Sequence, residues 1–254
     1  MATPMPEKPE SARTTIILAV VCVVIGFFVL SYGLQTLTYI EVRRWASANP
    51  YLNLTPVPMP SIAVSTAQEK DLFAYGMSFA APWKGVATQK QNAGNTEFDF
   101  KQGSILIFFD PDAQKNIVES IEDGDLQLLD RYRAVFGEQL FPSDYDLYTA
   151  VYQASPAEVT PFMSRANVIR ASTLLQWKLG FGDYGASAIF AVQTQALRGL
   201  QFGDPSRDRI VVEQLFDSHK RQYKLLFTSK AGPGTILQAD INCLIDSLHS
   251  ETVH

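Results

Sequence analysis

Three histidines, two cysteines and a scatter of carboxylates are the residues of this 254-residue chain whose types suit chemistry. A metal centre needs His, Cys, Asp or Glu clustered at ligand spacing. His219 falls in a turn between two strand-like segments, and His249 and His254 lie at or beyond the last helix-like segment. No H-x-x-x-H or C-x-x-C occurs, so no metal is expected. The densest carboxylates are Asp110, Asp112, Glu122, Asp123 and Asp125. A calcium loop needs D-x-[DN]-x-[DN]-G with a later glutamate, a pattern that Asp110-Pro111-Asp112 breaks; helix capping and a solvated surface account for these acids. There is no G-x-S-x-G elbow, and the glycines around Gly182 do not run into the Gly-Lys-Ser/Thr of a phosphate loop. Cys243 sits about 200° around a helix from Ile241, off the main apolar face. An exposed thiol there stays open beside the commoner reading of a packed cysteine. No catalytic, cofactor-binding or metal-ligating residue emerges and no cofactor is implied, which leans away from an enzyme.

Charge narrows the partners. The net charge of −5 is uneven. Residues 97–146 hold twelve acidic and four basic side chains, whereas residues 147–254 are nearly balanced, with nine acidic and ten basic. Nucleic acid is excluded as an expected partner, because phosphate binding needs a net basic face. A mildly basic surface is possible at Arg207, Arg209, Lys220, Arg221 and Lys224, suited to anionic headgroups or an acidic partner; a mixed-charge surface is the plainer reading.

The elements that position these residues begin with residues 14–40, which carry no charge; their centre, 16–30, reads IILAVVCVVIGFFVL. About 20 apolar residues span a bilayer core as a helix, so one N-terminal transmembrane helix is expected over 14–40, behind a short polar tail at 1–13. A cleaved signal peptide is the rival, since Ala46-Ser47-Ala48 has the cleavage-site form. The uncharged stretch is too long for it, however, and Arg43-Arg44 intervenes. Tyr32, Tyr39 and Trp45 fit an interfacial aromatic belt. Basic residues flank both ends, so the positive-inside rule is nearly a draw. A short tail held inside favours a domain on the extracytoplasmic side of a bacterial inner membrane. Ala19, Cys22, Gly26 and Gly33 form a small-residue stripe of the kind that lets helices approach closely, which makes homo-oligomerisation an option. The two cysteines cannot pair if Cys22 is in lipid and Cys243 in a folded domain.

After residues 41–67, a juxtamembrane and proline-rich stretch read as a stiff, extended spacer, residues 68–250 read as one globular domain. Alternation of Phe73, Tyr75, Met77 and Phe79 predicts a strand. Residues 97–100 and 104–109 predict two more, the second apolar enough to be central, with a turn at 91–94. A helical block follows over about 112–185: one helix with Ile117, Val118 and Ile121 buried, ended by Asp123-Gly124; one from Asp125 carrying Leu126, Leu129, Tyr132 and Phe136; a short one over 144–153; and one over 165–179. Ser155-Pro156-Ala157-Glu158 is a helix-start signal. Strands are predicted over 187–194 and 197–202, and a hairpin over 209–229. Thr235 is read as capping a last amphipathic helix with Leu237, Ile241, Leu244, Ile245 and Leu248 on one face. This order is an α+β pattern with an antiparallel β-sheet packed with helices.

Residues 75–83 (YGMSFAAPW) resemble the opening strand of PsbP/Mog1-like domains. Residues 223–227 (YKLLF) and 241–248 (INCLIDSL) resemble their last central strand and closing helix. The resemblance implies an antiparallel sheet between helices and, because that family is mostly non-catalytic, carries over no active-site residues. The function expected is therefore a single-pass, membrane-anchored, non-catalytic interaction or scaffolding module at the cell envelope, with the lipid bilayer and another envelope protein as partners. The alternatives are an envelope enzyme, such as a carboxylate-based hydrolase, or a small-molecule sensor.

Overall fold

The computed structural model describes residues 10–92, 94–111, 126–137, 141–182, 185–218 and 221–250, without the side chains of residues 10–17, 30, 31, 34, 70, 126–129, 131 and 250. The expectations placed on Asp112, Ile117, Val118, Ile121, Glu122, Asp123, Gly124, Asp125, His219, Lys220 and His254, and on the side chains of Leu126 and Leu129, lie outside these residues.

The chain is α+β. Strands β1 (Val57–Pro58), β4 (Thr88–Gln91), β5 (Asn95–Asp99), β6 (Gly103–Asp110), β7 (Ile189–Gln193), β8 (Leu197–Phe202), β9 (Ile210–Asp217) and β10 (Gln222–Ser229) form one sheet in the order β1-β7-β8-β9-β10-β6-β5-β4. Strands β2 (Glu69–Ala74), β3 (Met77–Ala81) and β11 (His249–Ser250) form a second, in the order β11-β3-β2. The expected antiparallel sheet needs one correction. Every pair in the large sheet is antiparallel except β1 with β7, where Val57 faces Phe190 in parallel, so the sheet is mixed. The parallel edge arises because the proline-rich segment, arriving from outside the meander, runs alongside β7 in the same direction.

Strands β6 and β10 alternate buried and half-buried side chains and pair along their full length, Leu225 facing Ile107 and Phe227 facing Ile105. On that face Phe98, Phe100, Ile105, Ile107, Leu225 and Phe227 meet the small sheet (Met77, Phe79, Ala81) and helix α5 (Gln238–Ser247) through Ile241, Leu244 and Ile245. Phe79 meets Phe98 edge-on at 5.2 Å between ring centroids. Burying each such side chain contributes roughly 1.5–3 kcal/mol. On the opposite face, over β7–β9, lie α3 (Asp144–Gln153) and α4 (Arg165–Phe181), with α2 (Leu126–Phe136) against α4.

Several expectations change. The single strand over 73–79 is a hairpin: Tyr75 (φ 52°) and Gly76 (φ 70°) make a two-residue turn between β2 and β3, the left-handed pair that matches strand twist. The last helix starts at Gln238 rather than being capped by Thr235, and the Asp240 carboxylate accepts the Leu237 N–H. Cys243 is buried, not exposed, and burial raises its thiol pKa, with Asp240 and Asp246 adding to the shift. Ser155 caps a short 3-10 turn, Pro156–Glu158, by accepting from the Ala157 N–H.

The N-terminal helix α1 (Glu10–Ala48) is longer than residues 14–40 and continues through Arg43-Arg44. Among the described residues no helix is long and apolar enough to cross a membrane; the side chains described in α1 are those of residues 18–29, 32, 33 and 35–48. Residues 41–67 are not a free spacer throughout. Val42 and Leu52 are fully buried against α3 and α4, and β1 joins the sheet.

Candidate functional site

Lys178 holds that junction together. It lies in the last turns of α4, where the run LLQWKLGF gives it apolar neighbours in sequence. Its ammonium, wholly buried, shares its three N–H bonds among four carbonyls: Leu52 (3.1 Å), Leu54 (2.6 Å), Tyr152 (3.1 Å) and Ala154 (2.9 Å). Two of these acceptors belong to the 3-10 turn Pro50–Asn53 and its cap, the other two to the C-terminal end of α3. Carbonyls at a helix C-terminus lack intrahelical donors and favour a cation. Burial lowers the Lys178 pKa to about 8, against the opposing pull of Glu158. The group is thus mostly charged at neutral pH, and it fastens the chain leaving α1 to two helices of the domain.

Beyond that knot, α1 has two halves. Gln35 and Val42 are buried, and Tyr39 and Trp45 pack with α4. From Leu18 to Val29 the large apolar side chains are 46–71% exposed on every side of the helix. The stripe Ala19, Cys22, Gly26 and Gly33 stays on this half: Cys22 is exposed, a Cβ at Gly26 meets nothing within 4 Å, and one at Gly33 meets only Val29 at 3.9 Å.

On the other side of the sheet Glu213 is fully buried in β9, with no hydrogen-bond partner for either carboxylate oxygen among the described residues. Its cross-strand neighbour Gln201 donates instead to the Gly203 carbonyl and to Gln238, which donates back at 2.7 Å and also to Asn242. Burial raises the Glu213 pKa well above the usual carboxylate value. Sequence reasoning passed over both residues. For Glu213 a signal exists: Val211, Glu213 and Leu215 share one face of an apolar strand.

Two hollows of about 390 and 160 Å³ flank the turn at Gln195 and Ala196 and share Leu197, Asp217 and Ser218. Arg198, on the larger, lies 4.2 Å over the Tyr145 ring. Asp217 is held by Arg221 at 2.6 Å. Amides, hydroxyls and a guanidinium line the place, and its carboxylate is already paired with Arg221.

The basic residues singled out in the sequence do not form one described patch. Arg207 and Arg209 precede β9, while Arg221 precedes β10 at the far end, about 25 Å along the strand, and Lys224, facing Gln214, lies about 17 Å along it. Arg207 lies 3.8 Å from Asp204, Arg209 donates to the Ser229 carbonyl, and burial lowers the Lys224 pKa. Among the described residues no three His, Cys, Asp or Glu side chains gather for a metal ion.

Fold and surface together define an α+β protein, a mixed sheet with helices on one face and a small sheet with the last helix on the other, from which one long helix projects bare apolar side chains. No protein-family model, curated protein or solved structure matches the chain.

Proposed function

We propose that the protein is a single-pass, membrane-anchored, non-catalytic interaction module of the cell envelope, with α1 in the inner membrane and the α+β domain on the periplasmic side. The observation that carries this reading is the exposed half of α1. A helix apolar all round is stable only when something apolar surrounds it, and the charge-free sequence over 14–40 extends the described stretch to bilayer length. The hollows beside Asp217 and Ser218 are where a second envelope protein would be recognised. The open space at Gly26 supports pairing of two anchors through Ala19, Cys22, Gly26 and Gly33. A PsbP/Mog1-like domain remains part of the reading, supported by β10 lying between β6 and β9 and followed by α5.

The test is extraction of cell membranes with alkaline carbonate, followed by protease treatment of intact cells, spheroplasts and lysate. The protein should stay with the membrane pellet and be cleaved once the outer barrier is opened. Release into the wash would end the anchor reading, and protection in spheroplasts would reverse the orientation.

A further inference from the structure

The uncharged run over 14–40 rises about 40 Å as a helix, roughly 10 Å more than a bilayer core needs. The structure shows where the surplus goes. From Gln35, 8% exposed, one face of the helix is taken up by the domain, while Leu37 and Ile40 on the other stay 63% and 49% exposed. Arg13 is the last charge before the run, and from Arg13 to Tyr32 the helix rises about 28 Å, close to the hydrocarbon thickness. Tyr32 thus stands at the level where the helix passes from lipid into protein.

At that level the domain presents an apolar side chain of its own. Phe162, in the turn before α4, is 80% exposed and sets its ring edge-on to Tyr32 at 6.3 Å between centroids. Arg165 follows at the first position of α4 with its side chain exposed. An aromatic ring beside an arginine, at the exit of an apolar helix, is the composition that settles at the boundary of acyl chains and headgroups.

Resting on the anchor reading above, we infer that the turn carrying Phe162 is a second membrane contact. Phe162 inserts into the interfacial layer of the bilayer that α1 crosses, Arg165 meets lipid phosphates, and the domain sits directly on the membrane surface. The occupant of this surface is lipid, because Phe162 touches the helix at the height where the bilayer ends.

The test uses the full-length protein in vesicles of phosphatidylcholine with a minor fraction of phosphatidylglycerol. An environment-sensitive fluorophore is placed on native Cys22 in one sample. In two others it is placed on Phe162→Cys or on Gln89→Cys, an exposed position of β4, each with Cys22→Ser. Cys243 is buried and stays unlabelled in the folded protein. The label at 162 should be blue-shifted and quenched several-fold more by a lipid nitroxide near the headgroup than by one at the chain end. The label at Cys22 should show the reverse order, and the label at 89 neither effect. If Cys22 is quenched but 162 behaves like 89, the seating is overturned and the anchor stands. If Cys22 is not quenched, the anchor reading fails and this inference with it.

Discussion

Lys178 and Glu213 are both wholly buried ionisable side chains, on opposite sides of one sheet, and their surroundings differ completely. Lys178 is enclosed by four carbonyls that have few other donors. Glu213 has an apolar strand face and an amide neighbour already committed to Gln238. The first works as a tie between segments distant in sequence. The second is a burden the core carries, and burial pushes its pKa up. Burial disfavours the charged form of both groups; what differs is the hydrogen bonding, which makes the lysine a link between segments and gives the acid no such role.

The largest test of that contrast is Lys178→Met, which keeps the apolar stem but removes the donor. Four buried carbonyls lose their partner, and unfolding in urea should show a loss of at least about 3 kcal/mol. A loss confined to a few tenths would mean that water replaces the ammonium and that the tie is not structural. Next in size is Glu213→Leu. Removing an unpartnered acid from an apolar site should raise stability by about 1–2 kcal/mol in the same assay. A decrease would show that the acid is hydrogen-bonded in solution, and the contrast would collapse.

The pH profile separates the two groups by sign. The native Glu213 pKa lies above its unfolded value of 4.5. In that window the native state keeps a proton the unfolded state has lost, so stability falls as pH rises from about 4.5 toward the native value. The native Lys178 pKa, about 8, lies below the ordinary 10.5. There the unfolded state holds the extra proton, so stability climbs as pH rises from about 8 to 10.5. Thermal melts across pH should therefore lose the falling limb in Glu213→Gln and the rising limb in Lys178→Met. The smallest effect belongs to Glu158→Gln. Glu158 is exposed, so removing its pull should move the rising limb only slightly toward lower pH and cost under about 1 kcal/mol.

Much of the fold was legible because its signals are local. The hairpin over 209–229 and the strand over 104–109 follow from alternation and turns, and the helix expected over 165–179 is present as α4, capped by Ser164, whose side chain accepts the Asn167 N–H. The hairpin at Tyr75-Gly76 was hidden by parity. Across a two-residue turn the facing residues Ala74 and Met77 share a side, so the buried set switches from Leu72 and Ala74 to Met77, Phe79 and Ala81, while Phe73, half-exposed, imitates a continuing strand. The proline-rich stretch looked like a free spacer because what holds it is Lys178, more than a hundred residues away. Backbone carbonyls leave no trace in a sequence, so the candidate site at that junction was not legible at all.

Helix α1 enters the domain without a break, and this makes it a shaft rather than a tether. Each residue added to a helix turns whatever follows by about 100°. One residue inserted between Tyr32 and Gln35 would swing the whole sheet about the helix axis and carry Phe162 to another azimuth; four would bring it most of the way back, one turn higher. The facing of the domain is thus set by the phase of its anchor. Two copies joined along Gly26 would hold their domains at one fixed angle to each other.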